Sequence, residues 1–302
     1  MSEQQIYDDE IDLKELVLTL WEGRQTIATI TGLAAIVSVI FALMLPNIYH
    51  STATLAPASS GGQGGLASLA SRYGNLASIA GIDLPEGELS KKDLALEVVR
   101  SRKFARDFLK KHDLKPKLMA VDYWDADNNT LVLDDDLYDV KTKKWLEDEE
   151  PLDVDVYGAF EDALIVNENS TTGMVELGFK SKSPTEAQRW TNWAIEDLNN
   201  AIRAKDIAEA ESSIAFLREQ VKSTPLAELR KVFYDLIQAQ TETIMLAQVR
   251  EEYVFATVDP AVVPDKKAEP SRALICILIT MLGGMVSVIF VLGRHYMHPE
   301  PN

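Results

Sequence analysis

Two uncharged runs constrain this chain more than anything else in it. Ile27–Leu45 (IATITGLAAIVSVIFALML) has no charged side chain in 19 positions, and Ala273–Leu292 (ALICILITMLGGMVSVIFVL) has none in 20. At about 1.5 Å per residue, either run can cross a hydrocarbon layer about 30 Å thick as a helix. The alternative is a pair of buried helices in a soluble core, but such helices rarely run so far without a charge. Trp21 and Tyr49 flank the first run and Tyr296 follows the second, where amphipathic rings favour a membrane surface. The first run is too long for the apolar part of a signal peptide, and no small-x-small cleavage site follows it. It reads as a retained anchor.

Two spans place both termini on one side. Lys14, Arg24 and Arg294 lie on the terminal side, and Lys266, Lys267 and Arg272 on the other. Long domains translocate largely regardless of charge, so the short segments decide. This predicts tails 1–26 and 293–302 in the cytoplasm, spans 27–45 and 273–292, and a large domain, 46–272, outside. Small residues recur at helical spacing in both spans: Ala34, Ser38 and Ala42 in the first, Thr280, Gly283, Gly284 and Ser287 in the second. Such faces let helices approach closely in lipid and make them candidate packing or partner-contact surfaces.

The net charge of −17 argues against nucleic acid as a partner, and a single cysteine excludes an internal disulfide framework. The acidity is concentrated: residues 122–155 hold 13 acidic and 3 basic side chains. They are read as a solvated, turn-rich insertion outside the core.

Between the spans the patterns indicate an α+β domain. Tyr49–Leu55 alternates as a strand, and Leu164–Val166 and Met174–Phe179 form two more. Gly61, Gly62, Gly64 and Gly65 read as a flexible loop, followed by short helical turns carrying Leu66, Leu69, Leu76 and Ile79. One helix is expected over Ser90–Lys111, with Ser90 and Asp93 at its start. Ser183-Pro184, with Glu186 three residues after the serine, opens a second. No proline or glycine interrupts it before Pro225, which allows about 39 residues. Ile207, Ile214 and Val221 recur every seven positions, with Leu217 between them. After Pro225, Leu226, Leu229, Phe233 and Leu236 continue the stripe into a helix expected to reach Glu252, and Val254–Val258 reads as a strand. Helices this long outrun a compact domain of this size, so 183–252 is expected to form a projecting arm on an α/β base (46–182 and 253–272). The stripe needs the neighbouring helix and identical subunits to cover it.

Chemistry is sparse. No P-loop or G-x-S-x-G occurs. His295 and His298 lack acidic or cysteine partners, and Cys276 lies within a span. Asp125, Asp127, Asn129 and Asp136 imitate an EF-hand loop, but Thr130 replaces the required glycine and the last ligand is not glutamate. Glu149 and Glu150 are one pair among many in an acidic insertion. The expectation is no catalytic residue, no metal and no cofactor.

The layout resembles the Wzz-type polysaccharide co-polymerases, the chain-length determinants of bacterial O-antigen. Ile11-Asp12-Leu13 with Leu20-Trp21 resembles the segment before the first span. Pro46, Tyr49 and Ser51-Thr52-Ala53 resemble the entry into the first strand. Leu76–Ile82 resembles the small-residue segment LASLAGI, and Ser101-Arg102 with Phe104 the S-R-x-F of the first major helix. Ala187, Trp190 and Asn192 fit the opening of the long helix. Leu246-Ala247 and Glu252-Tyr253 with Phe255 fit its close. The approach to the second span, Asp259–Arg272, carries Pro260, Pro264 and Pro270, with Lys267 where the family usually has a further proline and Ser271 in place of the lysine of its Pro-Lys pair.

That resemblance implies a periplasmic base beside the inner membrane of a Gram-negative bacterium, long protruding helices, and a ring-like homo-oligomer. It implies regulation of the modal length of a lipid-linked polysaccharide made by a Wzy-type polymerase, and the paired spans, long helices and sparse chemistry lead to the expectation of a non-enzymatic scaffold in that role. The spans would contact the polymerase. Ile207, Ile214, Leu217, Val221, Leu229, Phe233 and Leu236 would serve arm association. Some relatives carry a cytoplasmic tyrosine kinase, for which ten residues after the second span are too few. Two rivals remain: a capsule or exopolysaccharide co-polymerase or export component, and a membrane-tethered adaptor or sensor.

Overall fold

The computed structural model describes residues 13–58, 90–146 and 150–297. The glycine loop at 61–65, the helical turns and the LASLAGI-like segment at 66–82, Glu149 and His298 lie outside the described residues. The chain divides into two units, residues 1–47 with 268–302, and residues 48–267.

The first unit is helical. Helices α1 (Leu13–Glu22) and α2 (Arg24–Met44) meet at Gly23. The helical hydrogen bonds run on through this joint, Gly23 N–H to the Thr19 carbonyl and Ile27 N–H to the Gly23 carbonyl, both at 3.0 Å. A third helix, Arg272–Met297, closes the chain and is called α9 below. Both long helices are long and apolar enough to cross a membrane, and only 11% of the most apolar stretch of each is buried. That low figure separates them from core helices, whose apolar face would be covered. Ile36, Val37, Ile40 and Phe41 on α2 and Ile277, Met281, Leu282 and Ile289 on α9 face outward, while Ser38, Ala42 and Ser287 are buried.

The second unit is built on a four-stranded sheet. Its strands are β1 (Tyr49–Pro57), β6 (Leu164–Glu168), β7 (Val175–Ser181) and β8 (Phe255–Asp259), in the order β6-β7-β1-β8 and antiparallel throughout. Ser51, Ala53 and Leu55 alternate inward along β1, as a half-buried strand requires. Gly178 pairs with Thr52. A Cβ there would collide with the Ser51 carbonyl oxygen and the Thr52 side chain, so only glycine allows these strands their spacing.

Helices cover the inner face: α3 (Lys91–Val99), α4 (Arg102–Lys111), the short α5 (Lys115–Met119), α6 (Asp153–Ala163) and the first half of α7 (Pro184–Ser223). Phe108, Phe160, Phe179 and Trp190 pack with neighbouring ring centroids 5.6–6.2 Å apart, around a core that includes Leu55, Val99, Leu177 and Leu198.

One expectation needs correction here. The single helix over 90–111 is two helices. Ser101 breaks it: its Oγ accepts from Phe104 N–H and donates to the Val98 carbonyl, so the side chain ends one helix and caps the next. Among its described residues the acidic stretch 122–155 is solvated and turn-rich, with Tyr138 its one buried residue, and its turns belong to regular elements that the charge count did not reveal. It forms two hairpins, β2 (Val121–Asp125) with β3 (Thr130–Leu133) and β4 (Tyr138–Asp139) with β5 (Lys144–Trp145), and then enters α6. Asp153 and Asp155 occupy the first turn of α6, where the helix dipole favours negative charge, while Val156, Phe160 and Ala163 reach the core.

Helix α7 has 40 residues, about 60 Å of length. Ser183 Oγ caps it by accepting from Glu186 N–H at 3.3 Å. Residues Trp190, Ala194, Ile195, Leu198 and Ile202 belong to the base core. The arm therefore begins beyond Ile202 and not at 183, because the sheet needs the first turns of the helix as its cover. Thr224, Pro225 and Leu226 turn the chain into α8 (Ala227–Val249), which packs back along α7. This helix stops three residues short of Glu252.

Candidate functional site

Among the described residues no cluster of three or more His, Cys, Asp or Glu is placed to hold a metal ion. Of the EF-hand-like residues, Asp125, Asp127 and Asn129 sit at the β2–β3 turn, whereas Asp136 lies beyond β3, in the turn before β4. Asp125 accepts from Asp127 N–H, Asn128 N–H and the Asn128 amide, and these bonds, the amide's foremost, hold its carboxyl below the ordinary range. Two other constellations stand out, one in each unit.

The first is the seam between α2 and α9, which run antiparallel. Arg272 donates to the Leu45 carbonyl (3.3 Å) and to Asn47 Oδ1 (3.2 Å) at one end. Next along the seam, Cys276 Sγ lies 3.8 Å from the Ser38 carbonyl oxygen. Gly283 then faces Ala34 so closely that a Cβ on the glycine would collide with the alanine methyl. Thr31 Oγ1 and Ser287 Oγ stand 3.5 Å apart, and Gly23 meets Val291 at the other end. Ser38 and Ser287 each donate back to a carbonyl of their own helix, Ala35 and Gly284, at 2.7 Å, so neither hydroxyl is left unpaired where there is no water.

The structure gathers Ala34, Ser38, Gly283, Gly284 and Ser287 on this seam, and Ala42 is buried on the same face of α2. It also distinguishes two glycines that the sequence left equivalent. A Cβ on Gly284 would stand 3.7 Å from Thr31 Oγ1, an ordinary contact. Gly23 and Thr31 had no sequence signal beyond being small. Arg24 lies over the exposed Trp21 ring at 5.1 Å, a cation–π pair suited to a membrane surface.

The second constellation is the arm. Ile214 and Leu217 are buried in the hairpin, and Ile207, Val221, Leu229, Phe233 and Leu236 are half-buried. The neighbouring helix takes up the heptad stripe within one chain. What remains presented is a different set: Phe216, Leu226, Tyr234, Met245 and Val249, each more than half exposed. Sequence periodicity pointed to the covered stripe and passed over this outer face.

Of the proline segment, Pro260 and Pro264 lie in the second unit, where the chain is held by Ser51 Oγ donating to the Val262 carbonyl (2.7 Å) and Gln188 Nε2 to the Ala261 carbonyl (2.9 Å). Pro270 lies in the first unit, after a cis Glu269–Pro270 bond.

Fold and seam together define a membrane-anchored α+β protein with two apolar helices and a long helical hairpin. Residues 9–112 match the family model "Wzz: Chain length determinant protein". Residues 229–296 match "GNVR: G-rich domain on putative tyrosine kinase". About a third of the chain is thus similar to the chain length determinant family, which supports a Wzz-type protein. The chain is also similar to a solved structure titled "full-length bacterial polysaccharide co-polymerase", at 15% identity over 95% of this chain and 98% of that one, with a TM-score of 0.38. No curated protein matches it.

Proposed function

We propose that this protein sets the modal chain length of a lipid-linked polysaccharide, the O-antigen of lipopolysaccharide, during synthesis by a Wzy-type polymerase. It acts as a non-enzymatic, ring-like homo-oligomer in the inner membrane, with both termini cytoplasmic and residues 46–272 periplasmic. The match of residues 9–112 to the chain length determinant family carries the reading. The seam supports it physically: a close-packed helix pair with a large apolar outer surface suits lateral contact with another membrane protein. The outer residues Phe216, Tyr234 and Met245 of the arm, more exposed than the heptad stripe, are the candidates for contact between subunits.

The test is disruption of the gene followed by gel separation of lipopolysaccharide. Loss of modal clustering with continued polymerisation is expected. Complete loss of polymer would make the protein a polymerase component instead of a regulator. The match of residues 229–296 to a segment named for a tyrosine kinase favours a second reading, a capsule or exopolysaccharide co-polymerase. An unchanged lipopolysaccharide ladder with altered capsule length would select it.

A further inference from the structure

The return of the arm into the base is held by one face of α7. Asn199, Arg203 and Asp206 are spaced four and three apart, so their side chains project to the same side of the helix. Asn199 Oδ1 accepts from the backbone N–H groups of Tyr253, Val254 and Phe255 at 3.2, 2.8 and 3.0 Å. Its amide donates to the Phe255 carbonyl at 3.1 Å. Arg203 Nη2 donates to the carbonyls of Arg250 and Glu251 at 2.7 and 2.6 Å, satisfying carbonyls freed at the end of α8. Asp206 accepts from the Tyr253 hydroxyl and from Lys91 Nζ, both at 2.6 Å, and Lys91 also donates to the Tyr253 oxygen.

The arrangement costs something to build. Asn199 is buried at 5% exposure, and a buried amide is costly unless it is paired. All four of these bonds go to the turn linking α8 to β8 and to the first residue of β8. Lys91 adds a third element, since it is the first residue of α3. A turn that only needed to reverse the chain could use its own residues. This one is fixed by side chains from the helix that runs from the base into the arm, so both ends of the hairpin are tied at one place.

We infer that Asn199, Arg203 and Asp206 form a clamp that fixes the angle of the arm on the base, and that they are positioning residues for the arm. The clamp is a claim about conformation. Its consequence for glycan length rests on the function proposed above.

The test uses full-length protein in lipid nanodiscs, with Cys276→Ser and spin labels at exposed positions 103 on α4 and 223 at the end of α7. The native clamp is expected to give one narrow distance distribution. Asn199→Leu should broaden it at least twofold and speed exchange of the Tyr253, Val254 and Phe255 amides about tenfold. Asn199→Asp, which keeps the acceptor, should restore the narrow distribution. Leu198→Ala is the control, a core truncation one residue away that should lower stability without broadening. Should Asn199→Leu fail to fold, Arg203→Met keeps the aliphatic stem, removes the donors, and should broaden the distribution in the same way. An unchanged width in the folded variant, or equal broadening in Leu198→Ala, overturns the clamp. Broadening with an unaltered glycan ladder leaves the clamp standing and counts against the arm as the length-setting element.

Discussion

Ser38 and Phe179 are both almost wholly buried, at 0% and 1% exposure, yet they are buried for opposite reasons. Phe179 sits among Phe108, Phe160 and Trp190, and water drives that cluster together. Ser38 sits in a seam whose outer surface is Ile, Val, Leu and Phe. In lipid, apolar side chains gain nothing by hiding. Small residues line the seam because only they let two backbones approach, and its hydroxyls bond their own helix carbonyls. The same chain thus uses two rules of burial, and the switch between them falls near residues 47 and 268.

Substitutions can be chosen to break one rule and leave the other intact. The largest effect is expected in the base: Phe179→Ala should cost about 3–5 kcal/mol of unfolding free energy. It should leave crosslinking between Cys276 and a cysteine introduced by Ser38→Cys unaltered in membranes. Gly283→Leu should do the reverse, abolishing that crosslink while the base unfolds at its native denaturant midpoint. Gly283→Ala should reduce crosslinking by several-fold, whereas Gly284→Ala should stay close to the parent, since its Cβ has room. If both alanines behave alike, the seam does not run as described. Smaller still, Ser287→Ala should weaken helix association by only about 0.6 kcal/mol, read by the same crosslink, because such bonds have competing partners in membranes.

The smallest effect concerns the β2–β3 turn. Asp125 has its carboxyl pKa lowered below the ordinary 3.8, so its contribution is present above that value and lost as pH falls through the lower folded one. The amide chemical shifts of Asp127 and Asn128 should be flat from pH 7 to 5 and titrate only below 3.8.

Much of this architecture was legible in the sequence because the signals were local and strong. An uninterrupted apolar run, the Ser183-Pro184-Glu186 start of α7 and the alternation in β1 each decide a local structure. The misses share a cause. Ser101 reads equally as a helix residue or a cap, and only the packing of α3 and α4 around Phe104 and Phe108 decides. Charge counting hid α6, because its acids serve the helix start while three apolar residues reach the core. On the arm, periodicity identified the stripe and the neighbouring helix as its cover, but not the outer face that the hairpin leaves exposed. The distinction between Gly283 and Gly284 depends on the rotation of α9 against α2, which composition does not encode.

The central claim is that an anchored base holds an arm whose reach governs glycan length. Its most direct test removes one heptad from each helix of the hairpin, residues 215–221 and 232–238, shortening the arm by about 10 Å while keeping the apolar spacing. The lipopolysaccharide ladder of cells carrying only this variant, at matched membrane abundance, should keep its total polymer and shift its mode. A ladder indistinguishable from that of the parent would contradict the claim.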